Sequence, residues 1–269
     1  MNFMNNSIFQ RNKACEREEE NPEEGGVLAV WGSPSSGKTV VSVKLAEHLA
    51  KKKRNVILIL ADMITPPLPY LCVPSDMEQE RSLGSILAAA HVTENLIKKN
   101  CMFYRKSEHL SIIGMLKGEN VFTYPPYEKE QAEELIRQTA QIAPYVIIDC
   151  TSNIASDILS AVALMEADTV LRLVGCDLKS ISYLSSQLPL LKDSQWDAEK
   201  QYKVASNVYP NEASEHIERV LGNVAFQIPH SEEVKAQVLE GNLLKELVLK
   251  DSKGFRKTME AITKEVFGC

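Results

Sequence analysis

The chain has 269 residues, 44% of them hydrophobic, and a formal net charge of −6. That is enough apolar material for one large α/β domain, and the acidic balance excludes general coating of nucleic acid, which needs a clustered basic surface. No apolar stretch approaches the length of about twenty residues that spans a bilayer, and the first residues carry no signal-peptide core, so a cytoplasmic protein is expected.

Residues 1–24 are polar and charge-dense, with Glu16-Arg17-Glu18-Glu19-Glu20 and Glu23-Glu24. They read as a mobile arm ahead of a domain spanning 25–269. The apolar run Val27–Trp31 then predicts a buried strand, and it leads directly into Gly32-Ser33-Pro34-Ser35-Ser36-Gly37-Lys38-Thr39. This is the G-x-x-x-x-G-K-T pattern of a phosphate-binding loop. Its backbone N–H groups cradle polyphosphate at a helix N-terminus, the lysine reaches the terminal phosphates, and the threonine hydroxyl ligates magnesium. The implied ligand is a Mg2+-nucleotide held by residues Gly32 to Val40. In the helix that follows, Val41, Leu45 and Leu49 share one side, while Lys44, Glu47 and Lys51 are expected to face away. The basic run Lys51-Lys52-Lys53-Arg54 suits the end of a surface helix.

Val56–Leu60 is a second buried strand, followed by a proline-rich connection from Thr65 to Asp76 that should lie irregularly near the site. A helix is predicted from Glu128 to Ile142, with Ala132, Leu135, Ile136 and Thr139 inward, and a third strand at Tyr145–Asp149. Then come a helix at Ala155–Met165 and candidate strands at Asp168–Val174, Tyr202–Asn207 and Val224–Ile228. Continuous apolar runs alternating with helices imply a doubly wound, mostly parallel sheet flanked by helices, with ligands at the C-terminal strand ends. Six cysteines without C-x-x-C spacing or local partnership with the five histidines give no zinc site and no disulfide framework.

Phosphoryl transfer asks for phosphate-holding groups, a metal with its carboxylates and an oriented water. Lys38 supplies the first and Thr39 the metal hydroxyl. Asp149, ending its strand, is the candidate metal carboxylate, acting through water; the alternative is a helix N-cap. Asp62 closes the second strand and is the candidate for orienting or deprotonating water; the alternative is a turn-forming aspartate. The Asn-Lys-x-Asp element that reads guanine is missing, since Asn207 is followed by Val208-Tyr209-Pro210. ATP is favoured.

Taken in order, these elements resemble the MinD/ParA family of P-loop ATPases, including the CpaE/TadZ-like branch that places pilus and secretion machinery. The resemblance runs from about Val27 to Phe267. It rests on the loop at Gly32 to Thr39, on Asp62, on the Tyr145–Asp149 strand and on Ser82 to Leu87 as a short helix. Later come Ser206-Asn207, Ile228-Pro229 and Gly241 to Leu244. It implies that Asn207 contacts adenine, that Pro229 lies beside the base, and that the chain forms a nucleotide-dependent homodimer. It also implies a protein partner in pilus, secretion, conjugation or partitioning machinery, with recruitment to a membrane-associated assembly among the possibilities.

Three positions depart from the family pattern. Ser33 stands where the family has a lysine that crosses the dimer interface, Leu60 replaces the first acidic residue after strand two, and Cys150-Thr151-Ser152-Asn153 replaces the segment that senses the γ-phosphate. An alternative is therefore a nucleotide-binding scaffold with little hydrolysis. A lesser one is a relative of bacterial tyrosine kinases, on the strength of Asp62-Met63-Ile64-Thr65-Pro66. The last helix carries an apolar stripe of Phe255, Met259, Ile262 and Val266 with a mixed-charge opposite side, which reads as core packing rather than membrane insertion.

Overall fold

The computed structural model describes residues 25–77, 81–191, 196–210, 218–219 and 222–269. The charged segment 1–24 lies outside the described residues.

Eight strands form one sheet: β1 (Gly26–Gly32), β2 (Val56–Leu60), β3 (Met102–Phe103), β4 (Leu110–Ile113), β5 (Tyr145–Asp149), β6 (Thr169–Gly175), β7 (Gln201–Val208) and β8 (Phe226–Pro229). Their order across the sheet is β3-β4-β2-β5-β1-β6-β7-β8. All pairings are parallel except β3 with β4. The expected doubly wound sheet is therefore present. The central strands are apolar along their whole length because helices cover both faces, and Leu28 to Trp31 and Val56 to Leu60 are completely buried.

On one face lie α1 (Lys38–Lys51) and the closing helix, here α8 (Lys253–Phe267), with α7 (Glu232–Leu239) beside them. The other face is covered by α4 (Lys129–Ile142) and α5 (Ile158–Glu166), with α2 (Leu83–Leu87), α3 (Glu94–Asn100) and α6 (Leu178–Gln187) around them. Phe255, Met259, Ile262 and Phe267 of α8 are buried, and Phe267 meets Tyr145 edge-on at 5.3 Å between ring centroids. The last helix is thus a core helix, as its stripe suggested. Each such fully buried side chain is worth about 1.5–3 kcal/mol.

Boundaries moved for local reasons. α4 starts after Glu128, whose side chain and that of Gln131 form a reciprocal capping box. α5 begins at Ile158 rather than Ala155, because Asn153–Ser156 forms a turn and Asp157 occupies the N-cap. β3 and β4 were not foreseen; a two-residue strand and a four-residue run interrupted by Ser111 carry too little pattern to stand out.

One expectation fails inside α1. Lys44 and Glu47 do not face solvent: they are 4% and 9% exposed. The Lys44 ammonium bonds Glu47 at 2.9 Å, Gln237 Oε1 at 2.8 Å and the Lys245 carbonyl at 2.5 Å. The segment from α7 to α8 covers this side of α1 and supplies a polar socket there, so a charged residue at a helical "outer" position is buried with its hydrogen bonds met. Lys51, by contrast, is exposed, pairing with Glu47 and Glu246. Removing Lys44 strands two buried acceptors. Lys44→Ala should therefore lower stability by about 3 kcal/mol, whereas Lys51→Ala should cost about 0–1 kcal/mol. Urea unfolding of the two variants checks this, and equal losses would mean the socket contributes nothing.

Candidate functional site

The site grows from the way β1 ends. A Cβ on Gly32 would stand 1.9 Å from the Leu173 carbonyl oxygen, so only glycine lets the chain pass this close to β6. The next amide, of Ser33, donates to that same carbonyl at 3.0 Å. The Ser33 hydroxyl accepts from the Gly175 amide at 3.3 Å, and the residue is fully buried. The Ser36 amide turns back to the Ser33 carbonyl at 3.2 Å. Gly37, at φ 81°, is the left-handed N-cap from which α1 departs. The Ser36 hydroxyl is buried with no hydrogen-bond partner among the described residues, an orphan that a loop built for an absent ligand would leave.

Two strands, β5 and β2, meet this loop from its other side. Asp149, 2% exposed, accepts from Thr39 Oγ1 at 2.6 Å and from Ser42 Oγ at 3.2 Å. Burial pushes its carboxyl up to about 6, against the pull of Thr39, Lys38 and Ser42. Thr39 and Asp149 together offer hard oxygen donors suited to magnesium, with water and phosphate left to complete the shell. No group of three or more His, Cys, Asp or Glu able to hold a metal exists among the described residues.

Lys38 reaches across to the segment after β5. Its ammonium donates to the Ser33 carbonyl at 3.1 Å and to Ser152 Oγ at 2.6 Å. Burial lowers its pKa, opposed chiefly by the charge of Asp149. Asp62 accepts the amides of Ile64 at 2.9 Å and Thr65 at 2.7 Å, both through Oδ1. The carboxylate thus shapes the turn after β2 while also standing in the wall of the cleft.

That cleft, of 930 Å³, is lined by Pro34, Ser35, Lys38, Thr39, Asp62 and Asp149, together with Tyr70, Val121, Phe122, residues 124–127, residues 150–153 and residues 156–158. Leu60, two positions before Asp62, is fully buried and is no part of the wall. Asn207 and Pro229 lie on the other side of the phosphate loop, at the ends of β7 and β8, and do not line the cleft. Asn207 has φ 58°, and its side chain meets the His230 ring at 2.8 Å. Ser206 brings β7 to the loop, its Oγ lying 3.6 Å from where a Gly37 Cβ would be. Val40 is half-buried at the start of α1.

Several participants carried no sequence signal. Ser42 joins Asp149 only because it lies one turn after Thr39. Tyr70 comes from the proline-rich connection; burial and then the charges of Asp149 and Asp62 push its phenol up to about 12. Glu119 ties the loop over the cleft to α2, accepting from Ser82 Oγ and Tyr124 OH, each at 2.6 Å, and from the Leu116 amide at 2.8 Å. Burial alone would raise its pKa, yet these three donors hold it below the ordinary glutamate value.

The sequence itself matches no family model and no curated protein. The fold, however, is similar to a ParA family ATPase from Chlorobium tepidum, with a TM-score of 0.72 at 18% identity, over 88% of this chain and 98% of that one. It is also similar to the septum site-determining protein MinD of Pyrococcus horikoshii, complexed with Mg-ADP, with a TM-score of 0.68 at 15% identity over 89% and 96%. A plasmid partition protein of Borrelia burgdorferi bound to AMPPNP gives 0.67 at 15% identity over 90% and 99%. The architecture is that of the ParA and MinD ATPases. No helix among the described residues is long and apolar enough to cross a membrane.

A carboxylate with a depressed folded-state pKa stabilises the fold above its unfolded pKa and loses that contribution as the pH falls through the folded value. Glu119→Gln should therefore be less stable than wild type at pH 7, with the gap closing as the pH is lowered toward 3. Thermal unfolding across that range checks the sign.

Proposed function

We propose that this chain binds Mg2+-ATP on the loop Gly32 to Val40 and acts as an ATPase of the MinD/ParA type that positions or assembles a partner complex. The observation that carries the reading is the convergence of Lys38, Thr39 and buried Asp149 at the end of a fully buried strand. The similar solved structures, complexed with Mg-ADP or bound to AMPPNP, support the ligand. The narrower CpaE/TadZ-like placement, with a pilus, secretion or conjugation partner, rests on the sequence resemblance.

In this reading Lys38 and the loop amides hold the terminal phosphates, and Thr39 with Asp149 would hold magnesium, which when bound neutralises charge developing on the phosphate oxygens. Asp62 orients the attacking water through the oxygen not committed to its turn. Asn207 and Pro229 receive the base, on the β7–β8 side of the loop, so the nucleotide lies across the sheet with its terminal phosphate toward β5 and β2.

A homodimer closing over the cleft is supported by the apolar side chains at its margin, Ile64 at 74% exposed and Phe122 at 92%. Ser33 has no part in such closure, because its side chain is buried and bonded within its own chain.

The scaffold alternative draws on the same geometry. With Ser33 turned inward and Leu60 buried, two charges that would answer charge migration during transfer are absent, and groups of that kind act more on the transition state than on the ground state. Binding can persist where turnover is slow.

Phosphate release from Mg2+-ATP and nucleotide affinity, measured on wild type and two variants, test the proposal. Lys38→Ala should weaken binding and cut turnover by at least about a hundredfold. Asp62→Ala should cut turnover by a similar factor with affinity little changed. Tight wild-type binding without turnover above the Lys38→Ala background selects the scaffold; no binding at all removes both.

A further inference from the structure

The Lys38 ammonium rests against an oxygen that belongs to neither the phosphate loop nor a carboxylate. Ser152 Oγ lies 2.6 Å from it. Ser152 belongs to the segment between Asp149 and α5, where the sequence departs from the family pattern, and it is braced from behind. Its carbonyl accepts from the Tyr183 hydroxyl of α6. The Tyr183 ring in turn lies 6.3 Å from buried Trp31 on β1. One residue earlier, the Thr151 amide donates to Ser160 Oγ at 2.8 Å and the Thr151 hydroxyl to Asp157 at 2.9 Å. Ser152 is thus held at Lys38 by two helices, α5 and α6, rather than resting there by chance of a loose loop.

We propose that Ser152 is a positioning residue that parks Lys38 until phosphate displaces it, and that Tyr183 carries this displacement to α6. The proposal rests on the phosphate-binding reading above. The bond to the Ser152 hydroxyl is charge-assisted on its donor side alone, whereas a phosphate oxygen adds attraction between opposite charges. Two of the three ammonium donors are committed, to Ser33 and Ser152, and the move that brings the ammonium onto a terminal phosphate gives up the Ser152 bond. The bond sets a threshold for nucleotide binding, and its loss frees the 150–156 segment from the phosphate loop. Because the Ser152 carbonyl is tied to Tyr183, that freedom is felt along α6, the helix that presents Leu178 at 82% exposed.

The test begins without nucleotide. An amine-reactive reagent followed by mass spectrometry should modify Lys38 several-fold faster in Ser152→Ala than in wild type, with buried Lys44 unchanged as the internal standard. With nucleotide, Ser152→Ala should bind Mg2+-ATP about three- to tenfold more tightly, the worth of one hydrogen bond no longer broken. In Tyr183→Phe, the ATP-dependent change in amide exchange over residues 178–187 should vanish although ATP still binds. Ser152 is half-buried, so folding of the alanine variant is checked by its thermal midpoint, and Ser152→Thr, which keeps the hydroxyl, should restore wild-type labelling. Equal labelling of Lys38 in wild type and Ser152→Ala overturns the parking role. Unchanged or weaker ATP binding by Ser152→Ala overturns the threshold, and an unaltered exchange response in Tyr183→Phe overturns the link to α6. If neither wild type nor Ser152→Ala binds ATP, the proposed function falls, and the labelling result still decides whether Ser152 holds the lysine.

Discussion

A buried carboxylate fastens the helix that follows the phosphate loop to the middle of the sheet. Asp149 ends β5 and takes hydrogen bonds from Thr39 and Ser42 on the first two turns of α1. An ionised group this deep is costly unless hydrogen-bonded, and burial has already moved its carboxyl toward neutrality. The position of α1, the direction of the loop ahead of it and the reach of Lys38 all follow from this attachment. β1 contributes the complementary constraint, since its exit at Gly32 must pass against the Leu173 carbonyl. The loop is thereby held between β5 on one side and β6 on the other.

Much of this was legible because a parallel sheet covered on both faces writes itself as uninterrupted apolar runs. Val27–Trp31, Val56–Leu60 and Tyr145–Asp149 are such runs, and the phosphate loop follows the first of them at the strand end where ligands gather. What escaped notice depends on contacts distant in sequence. Lys44 looks like a solvent residue when helical periodicity is the only guide, yet chain two hundred residues later folds over it. Ser42, Tyr70 and Glu119 acquire roles only once their elements are brought to the cleft. β3 and β4 exist because the sheet offers them an edge, and their own residues scarcely announce it.

The departures from the family pattern gain a physical sense from their surroundings. Ser33 is no shortened lysine waiting at an interface. It is a small polar residue that seats the loop on β6 through its amide and its hydroxyl. Leu60 packs fully buried two positions before the chain turns out at Asp62, so a charge there would need partners that the surrounding core does not offer. Each replacement is satisfied where it stands. Both positions are structural in this chain.

Glu119 gives the loop over the cleft an unusual mechanical character. Three donors converge on one side chain, and beyond it the Phe122 amide donates to Asn120 Oδ1 and the Asn120 amide to Thr123 Oγ1, shaping the turn. Phe122 is therefore fully presented to solvent on a base that is already ordered. A surface that meets this ring has little conformational freedom left to remove from the backbone beneath it, and most of the apolar area it covers is available as affinity. Order at the foot of the loop fixes where the ring at its tip stands.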